Sequence, residues 1–300
     1  MTNPVDGEGS DLGPELDPRY VASRRVLLDA LTALAPHGTA FIVAGAQAVY
    51  LRTGSSDIAI APHTTDGDLA LDPLLMGDEP ELERSMREAG FELYEPDGVR
   101  IQPGTWIKTI DVNGEQLTVS IDLIVPDTAA GGGRHRGARL GVHGNRAARR
   151  AAGLEAALVD HSRMTIRSLD SSDLRFIDVE VAGVAALLIA KSHKIHDRLS
   201  GDDRRLKDKD AADIYRIMQT ASVPAAASTF RRLRDDAMAG ESTAAALTLI
   251  EELFGRRAAP GVVMAQRALR LAVPEAQVAT LCVSFTEHLL ALTRSDATDG

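Results

Sequence analysis

The amino-acid sequence predicts an α+β protein in which a sheet-containing part is followed by a helical bundle. Short runs of β-branched and aromatic residues recur between residues 41 and 181, a pattern typical of strands. Asn113-Gly114 separates two of these runs, and this dipeptide is a strong local signal for a β-hairpin. From Val223 onward, alanine and leucine recur at helical spacing, which predicts a bundle. Its predicted helices span residues 225–238, 242–254, 259–271 and 274–293.

Composition and charge narrow the class of protein. The 300 residues are 44% hydrophobic, which is ample for a core and favours two domains over one. The formal net charge of −10 argues against a protein that coats nucleic acid, although a local basic patch stays compatible with it. The single cysteine, Cys282, excludes an internal disulfide and a cysteine-rich zinc site. Cysteine usage of this kind favours the cytoplasm.

The sequence predicts neither membrane insertion nor secretion. No stretch has the roughly 18 uninterrupted apolar residues that a membrane helix needs. The N-terminus is acidic and rich in glycine and proline rather than basic and then apolar. Residues 1–16 are therefore predicted to form a disordered leader.

The first ordered elements are predicted to be a helix, a strand and a second short helix. Asp17 can cap the first helix, and Pro18 fits its first position. The apolar run that follows ends in Gly45, and Ala46 opens a short helix through Arg52. A tight turn between a strand and a helix can cradle a phosphate, because free N–H groups and the helix dipole point at the anion. An ordinary packing turn is the alternative.

Two carboxylates separated by one glycine begin the next apolar run. In a strand, the side-chain period of two places Asp66 and Asp68 on one face and Gly67 on the other. Such a pair can hold a divalent cation such as Mg²⁺, which commonly binds one or two carboxylates and the phosphates of a substrate. A solvated turn is the alternative, since Asp-x-Asp is a short and common motif.

The second arm of the predicted hairpin contains a lone carboxylate, Asp122. Alternation places Ile121 and Leu123 on one face, and Ser120 and Asp122 on the other. A carboxylate in a buried strand needs a partner. If this strand lies beside that of Asp66, three carboxylates converge on one cation-binding surface. An edge strand with Asp122 facing water is the alternative.

A basic segment and two charged helices complete the candidate elements. Residues 128–152 contain several arginines and no acidic residue, which suits a polyanion or a triphosphate, with a solvated loop as the alternative. A helix predicted over residues 182–199 carries Lys191, Lys194 and Arg198. Steps of three and four place these cations on one face of the helix. The next helix has Asp210, and Asp213 lies one turn later on the same face. Capping alone could account for Asp210.

Taken in order, these features resemble the nucleotidyltransferase-type toxins of the AbiEii/MenT group. The resemblance covers roughly residues 20–220, and the C-terminal bundle is similar only in general character. The segments that carry it are Gly45 after a strand, Thr64-Thr65-Asp66-Gly67-Asp68, Asp122, Ala190-Lys191-Ser192-His193 and Lys209-Asp210-Ala211-Ala212-Asp213. The last two segments are its most specific part.

The resemblance implies a polymerase-β-like nucleotidyltransferase fold with a mixed sheet. It implies a nucleotidyltransferase core in residues 17–180 and a helical domain in residues 181–300 that completes the active site. Characterised members of the group transfer nucleotides from an NTP to the 3′ acceptor end of tRNA, which blocks translation. The implied protein is a cytoplasmic toxin whose antitoxin is encoded separately, and a monomer is the expected state.

The resemblance also implies roles for individual residues. Asp66, Asp68 and Asp122 would hold Mg²⁺. Lys191 would contact the triphosphate, and Asp210 would be essential in the catalytic site. The residues expected to lie along the NTP are Gly45, Ala46, Thr64, Thr65 and Lys194. Independently of the resemblance, the arginines of the basic segment that we expect to face the RNA are Arg134, Arg136, Arg139 and Arg149.

The chain departs from the family pattern at two points. The family turn reads Gly-Gly or Gly-Ser where this chain has Gly45-Ala46, and alanine lacks a hydroxyl and resists positive φ. An arginine often precedes the Asp-x-Asp strand in relatives, whereas this region holds His63. Both departures leave the choice of substrate open. The alternatives in function are nucleotidyl transfer to a protein or small molecule, and a catalytically silent module that binds NTP or antitoxin.

Overall fold

The computed structural model describes residues 16–54, 64–130, 135–201 and 208–294. Within these ranges the chain is an α+β protein with nine α-helices and one open, mixed sheet of eight strands. Residues 1–15 of the predicted leader, His63 and Arg134 lie outside the described residues.

The sheet occupies the first part of the chain and the helices dominate the second. The strands are β1 (Phe41–Ala44), β2 (Asp66–Leu71), β3 (Glu92–Leu93), β4 (Thr105–Val112), β5 (Glu115–Pro126), β6 (Arg149–Ala151), β7 (His161–Arg167) and β8 (Phe176–Ala182). The helices are α1 (Pro18–Leu34), α2 (Gly45–Thr53), α3 (Leu82–Glu88), α4 (Val184–Leu199), α5 (Lys209–Thr220), α6 (Val223–Arg234), α7 (Gly240–Phe254), α8 (Pro260–Leu269) and α9 (Glu275–Arg294). The strand order is β3-β4-β5-β2-β1-β8-β7, and β6 pairs with the end of β5 that β4 leaves free.

Local signals in the sequence determine where the first helix begins. The Asp17 carboxylate accepts a hydrogen bond from the Arg19 N–H at 2.8 Å, and Pro18 occupies the first helical position. The predicted N-terminus of α1 is therefore confirmed. The four helices α6 to α9 also lie close to their predicted bounds, because alanine and leucine at helical spacing determine their buried faces.

The predicted hairpin is confirmed around Asn113-Gly114. β4 and β5 pair antiparallel, with Val112 opposite Glu115 on either side of the two-residue turn. Asn113 and Gly114 have φ values of 57° and 85°, the positive φ that such a turn requires. This pairing sets the register of the rest of the hairpin.

Helix α1 covers one face of the sheet, and this determines which face is left for chemistry. A Cβ at Gly67 would lie 2.7 Å from Ile121 Cδ1 and 3.4 Å from Leu27 Cδ1. Gly67 therefore lets α1 pack closely on β2 and β5. Ile121 and Leu123 are fully buried on this side, as the alternation predicts. The carboxylates of β2 and β5 consequently point to the opposite face.

Helices α4 and α5 connect the sheet to the bundle. Both contact α2, which follows β1, while α5 also contacts α8 and α9 and α4 also contacts α7. β8 ends at Ala182 and α4 begins at Val184. This change from strand to helix lies next to the predicted domain boundary, and the boundary itself stays a prediction. In the described ranges, none of the helices is both long and apolar enough to cross a membrane.

Cys282 provides a simple test of the packing of the bundle. Its side chain has no exposed surface, and burial raises the pKa of the thiol to about 12. Because the thiolate is the reactive form, we expect no reaction of the folded protein with a disulfide reagent such as DTNB at about pH 8, and one reactive thiol after unfolding in guanidinium. Rapid reaction without denaturant would contradict the burial of α9.

Candidate active site

The central strands bring the predicted carboxylates together. β2 runs antiparallel to β1 and parallel to β5, so that Asp68 lies opposite Ala44 on one side and Asp122 on the other. The sequence predicts that the carboxylates converge if the two strands that carry them are neighbours. The structure confirms that these strands are neighbours. Because β5 has neighbours on both sides, the edge-strand interpretation of Asp122 is wrong. The solvated-turn interpretation of Asp66 and Asp68 is also wrong, since both residues lie in β2.

Gly45 lies directly against the Asp68 carboxylate. Its φ is +61°, and a Cβ at this position would lie 1.8 Å from Asp68 Oδ2 and 2.7 Å from Asp68 Cγ. Glycine is therefore required twice, by the left-handed backbone and by the space that the carboxylate fills. The turn between β1 and α2 places Asp68 at the N-terminus of a helix, and Ala46 is buried just behind it.

The Asp66 side chain is more exposed than that of Asp122, at 45% against 23%. Ser120 donates to Asp66 Oδ1 at 3.1 Å, and Lys209 Nζ lies 3.7 Å from Oδ2. The Asp66 N–H donates to the buried Thr64 hydroxyl at 3.2 Å, and Thr65 donates to Oδ1 at 3.5 Å. The two threonines thus support the Asp66 backbone and side chain, while 45% of the side chain stays exposed.

Asp122 is held by two side chains that the sequence interpretation did not assign to it. Thr105 donates to Asp122 Oδ1 at 2.7 Å, and Gln102 donates to the Thr105 hydroxyl at 3.0 Å. Arg149 Nη2 donates to Asp122 Oδ2 at 2.9 Å. The carboxylate predicted as the third metal ligand is therefore paired with an arginine of the same chain.

The environment of Asp68 suits a bound cation. Burial raises the pKa of the Asp68 carboxyl; Lys194 opposes this shift and the nearby Asp122 adds to it. A carboxylate whose charge is disfavoured by its surroundings gains from a nearby positive ion. Among the described residues, no group of three acidic, histidine or cysteine side chains is arranged to hold a metal ion.

Helices α4 and α5 meet in a buried network of charges centred on Asp210. Lys191 Nζ donates to Asp213 Oδ2 at 2.7 Å and to Asp210 Oδ1 at 3.3 Å. Arg198 donates to Asp210 Oδ2 at 2.6 Å, and Lys194 Nζ lies 3.4 Å from Oδ1. The predicted common face of the three cations is confirmed. The capping interpretation of Asp210 is wrong, because the N-cap of α5 is Asp208 and the Asp210 carboxylate, inside the first turn, pairs with these side chains.

The three cations differ in their access to the cleft. The Lys191 side chain is 4% exposed, whereas the Lys194 and Arg198 side chains are 40% and 24% exposed. Lys191 is thus enclosed by two carboxylates, and Lys194 and Arg198 present charge to solvent. The predicted contact of Lys191 with a triphosphate stays a prediction, and Lys194 and Arg198 are better exposed for that contact.

A cleft of about 800 Å³ lies between the carboxylate face of the sheet and α4. This volume lies within the range of about 300–1,000 Å³ that small-molecule sites occupy. Gly45 and Asp68 line it, as does Gln102. Its basic lining residues are Arg136, Arg149, Arg150, Lys191, Lys194 and Arg198. Its acidic lining residues are Asp68, Asp122, Asp127 and Asp197. The cleft therefore has basic side chains that could accept an anion beside a floor of carboxylates.

The basic segment is divided between the cleft and the outer surface. Arg136 and Arg149 line the cleft. Arg146 donates instead to Glu83 on the outer surface, and Arg139 is exposed and does not line the cleft. Because Arg149 lies in β6 and pairs with Asp122, the solvated-loop interpretation is wrong at that residue.

One of the missed partners could have been found from the sequence. Counting outward from the Asn113-Gly114 turn places Thr105 opposite Asp122, and the structure has this pairing. Nothing comparable points to Arg149 or Lys209, since no tight turn in the sequence fixes the position of either segment relative to β2 or β5.

No protein-family model matches the chain, and no curated protein matches it.

Proposed function

We propose that the chain is a Mg²⁺-dependent nucleotidyltransferase with a polymerase-β-like fold. We further propose that it is a cytoplasmic toxin that transfers nucleotides from an NTP to the 3′ acceptor end of tRNA and so blocks translation. One observation carries the enzymatic part: Asp68 and Asp122 are paired side by side next to Gly45, on the floor of a cleft with a cationic helical wall.

The donor set fits Mg²⁺. Asp66 and Asp68 lie on one face of β2, and Asp122 lies beside Asp68 on β5. Mg²⁺ is usually held by one or two carboxylates together with water and substrate phosphates. When bound, the ion would neutralise charge on the phosphates and orient the attacking oxygen.

The cationic wall fits a triphosphate. Lys194 and Arg198 are partly exposed on the cleft side of α4, and both form ion pairs with the buried Asp210. Their charges face the carboxylate floor across the cleft. An NTP bound between them would have its phosphates near Lys194 and Arg198 and its α-phosphate towards Asp68 and Asp122.

The proposed reaction is an in-line displacement. The 3′ hydroxyl of the acceptor attacks the α-phosphorus, the bond from the α-phosphorus to the bridging oxygen breaks, and pyrophosphate leaves. Asp122 accepts the proton of the attacking hydroxyl. Lys194 and Arg198 stabilise the charge on the departing pyrophosphate.

The acceptor and the biological role rest on a different basis from the chemistry. The resemblance of residues 209–213 and the neighbouring segments to the AbiEii/MenT group supports tRNA as the acceptor and a separately encoded antitoxin as partner. The exposed Arg136 at the cleft is compatible with a polyanionic acceptor.

The test combines transfer and growth. Wild-type protein with Mg²⁺, each labelled NTP in turn and total tRNA is expected to label tRNA 3′ ends, whereas Asp68→Asn is expected to label none. Asp235→Asn, an exposed aspartate of the bundle, is the matched control and should behave as wild type. Induced expression in a heterologous bacterium should arrest growth and extend tRNA 3′ ends only when Asp68 is intact.

Other outcomes separate the alternatives. Label in protein or in a small molecule instead of RNA would favour a different acceptor. Nucleotide binding without pyrophosphate release, together with normal growth, would favour a silent binding module. Equal labelling of tRNA by wild type and Asp68→Asn would refute the assigned site.

A further inference from the structure

The two carboxylates that flank Asp68 each have a cation of the same chain beside them. Arg149 donates to Asp122 at 2.9 Å, and Lys209 lies 3.7 Å from Asp66. The Arg149 contact is the closer and less exposed of the two, with side-chain exposures of 19% for Arg149 and 23% for Asp122. Arg149 therefore competes with a metal ion or a hydroxyl for Asp122.

The hydrogen bonding of Arg149 leaves room for a second partner. A guanidinium has five N–H donors, and the contact with Asp122 uses Nη2, while Nε is buried and has no hydrogen-bond partner. An unpaired buried donor is unfavourable. An anion that accepted two parallel hydrogen bonds would satisfy more of the guanidinium than one oxygen of Asp122 does.

The backbone of Arg149 is well placed for a side-chain exchange. β6 pairs with β5 through Arg149 and Ile124, two residues beyond Asp122. The Arg149 side chain lines the cleft that also contains Lys194 and Arg198. The guanidinium can thus turn from the carboxylate to an anion in the cleft while its strand stays paired.

We propose that Arg149 is a positioning residue that exchanges partners when substrate binds. In the free protein it neutralises Asp122. With a nucleoside triphosphate in the cleft it donates to the phosphates and releases Asp122. This inference rests on the proposed function for the identity of the anion. Its physical basis is that arginine binds phosphate through a rigid fork of donors.

The exchange predicts opposite effects of one substitution on two ligands. In Arg149→Gln, Mn²⁺ added alone should bind about tenfold more tightly, because a positive charge next to Asp122 is lost. Inorganic tripolyphosphate in metal-free buffer should bind about tenfold more weakly, because a phosphate donor is lost. Electron paramagnetic resonance of free Mn²⁺ and titration calorimetry measure the two affinities without turnover.

The matched control is Arg146→Gln. It removes the same charge from the same segment, but Arg146 is exposed and pairs with Glu83 outside the cleft. Both affinities should equal those of wild type. A change in Mn²⁺ affinity as large as that of Arg149→Gln would overturn the exchange, because it would reflect net charge alone.

A second variant keeps the proposal testable if Arg149→Gln does not fold. Arg149→Lys keeps the charge and loses the fork, so Mn²⁺ affinity should stay near wild type while tripolyphosphate binds several-fold more weakly. Wild-type values for both ligands in Arg149→Lys, unchanged Mn²⁺ affinity in folded Arg149→Gln, or no tripolyphosphate binding by wild type would each overturn the exchange. Failure of wild type to transfer nucleotide to any acceptor would refute the proposed function, whereas the Mn²⁺ result would still decide the role of Arg149.

Discussion

Gly45→Ala is expected to lower the proposed nucleotidyl transfer by at least about 100-fold while the sheet still folds. A methyl group at this position would overlap the Asp68 carboxylate, since its carbon would lie 1.8 Å from Oδ2. The carboxylate must move by an ångström or more, and a displacement of this size at a reacting centre can cost about 100-fold in rate. Initial rates of labelled NTP transfer measure the effect.

Gly38→Ala separates the clash from the backbone strain. Gly38 has nearly the same φ, +62°, but a Cβ there would meet no atom within 4 Å. Both variants should lose about 1–3 kcal/mol of stability because both glycines have a positive φ that alanine rarely adopts, measured by urea unfolding. Only Gly45→Ala should lose transfer. Equal rates in the two variants would mean that the position of Asp68 does not matter for the reaction.

Lys191→Met is expected to lower the free energy of unfolding by about 3–5 kcal/mol. The substitution leaves Asp210 and Asp213 buried without the ammonium that donates to both. Lys194→Met is the matched control: it removes the same type of group from the same helix face, but its side chain is 40% exposed. Asp210 keeps Lys191 and Arg198 in this variant, so the loss should be close to the 0–1 kcal/mol of a solvent-screened pair, or about 1 kcal/mol at most. Urea unfolding of both variants tests the difference.

The two lysine variants should also differ in ligand binding. Lys194→Met should weaken NTP binding with little loss of stability, because its charge faces the cleft. A Lys191→Met protein as stable as wild type would contradict the buried network. A Lys194→Met protein with unchanged NTP affinity would contradict the assignment of Lys194 to the phosphates.

The pH dependence of the Lys191 effect follows from the network. Burial alone would raise the pKa of the Asp210 carboxyl, but Lys191, Lys194 and Arg198 outweigh it and hold that pKa well below its usual range. Burial alone would lower the pKa of Lys191, but Asp213 and Asp210 outweigh it and raise that pKa. The ionised Asp210 carboxylate stabilises the folded protein at pH values above its pKa in the unfolded state, and this stabilisation is lost as the pH falls through its pKa in the folded state. The stabilisation by the Lys191 ammonium is lost at high pH. The difference between wild type and Lys191→Met should therefore be constant from about pH 5 to pH 9 and shrink below about pH 4.

Local sequence rules account for much of the fold and for the carboxylates of the candidate site. The side-chain period of two in β2 and β5 places Asp66, Asp68 and Asp122 on one face of the sheet, because the apolar side chains of the same strands pack against α1 on the other face. The turn at residues 113–114 fixes the register of its hairpin because a two-residue loop allows only one pairing.

The remaining features depend on contacts between distant segments. Capping and an ion-pair network are both compatible with Asp210 near a helix N-terminus, and only the packing of α4 against α5 decides between them. In the sequence, nothing distinguishes Arg149 from the other arginines of the basic segment. The pairing of β6 with β5 brings it to Asp122. Periodicity carries no information on which loop returns to which strand.

The parallel pairing of β2 with β5 has a consequence for the order of events during synthesis. Two parallel strands must be joined by a long crossover, so Asp68 has no neighbouring Asp122 until the intervening chain has left the ribosome. The cationic wall follows later still, because Lys191 and Asp210 meet only when α5 packs on α4. A nascent chain halted before Asp210 thus has the cations of α4 without the buried carboxylate that holds them. The proposed activity should appear in one late step of synthesis rather than grow with chain length.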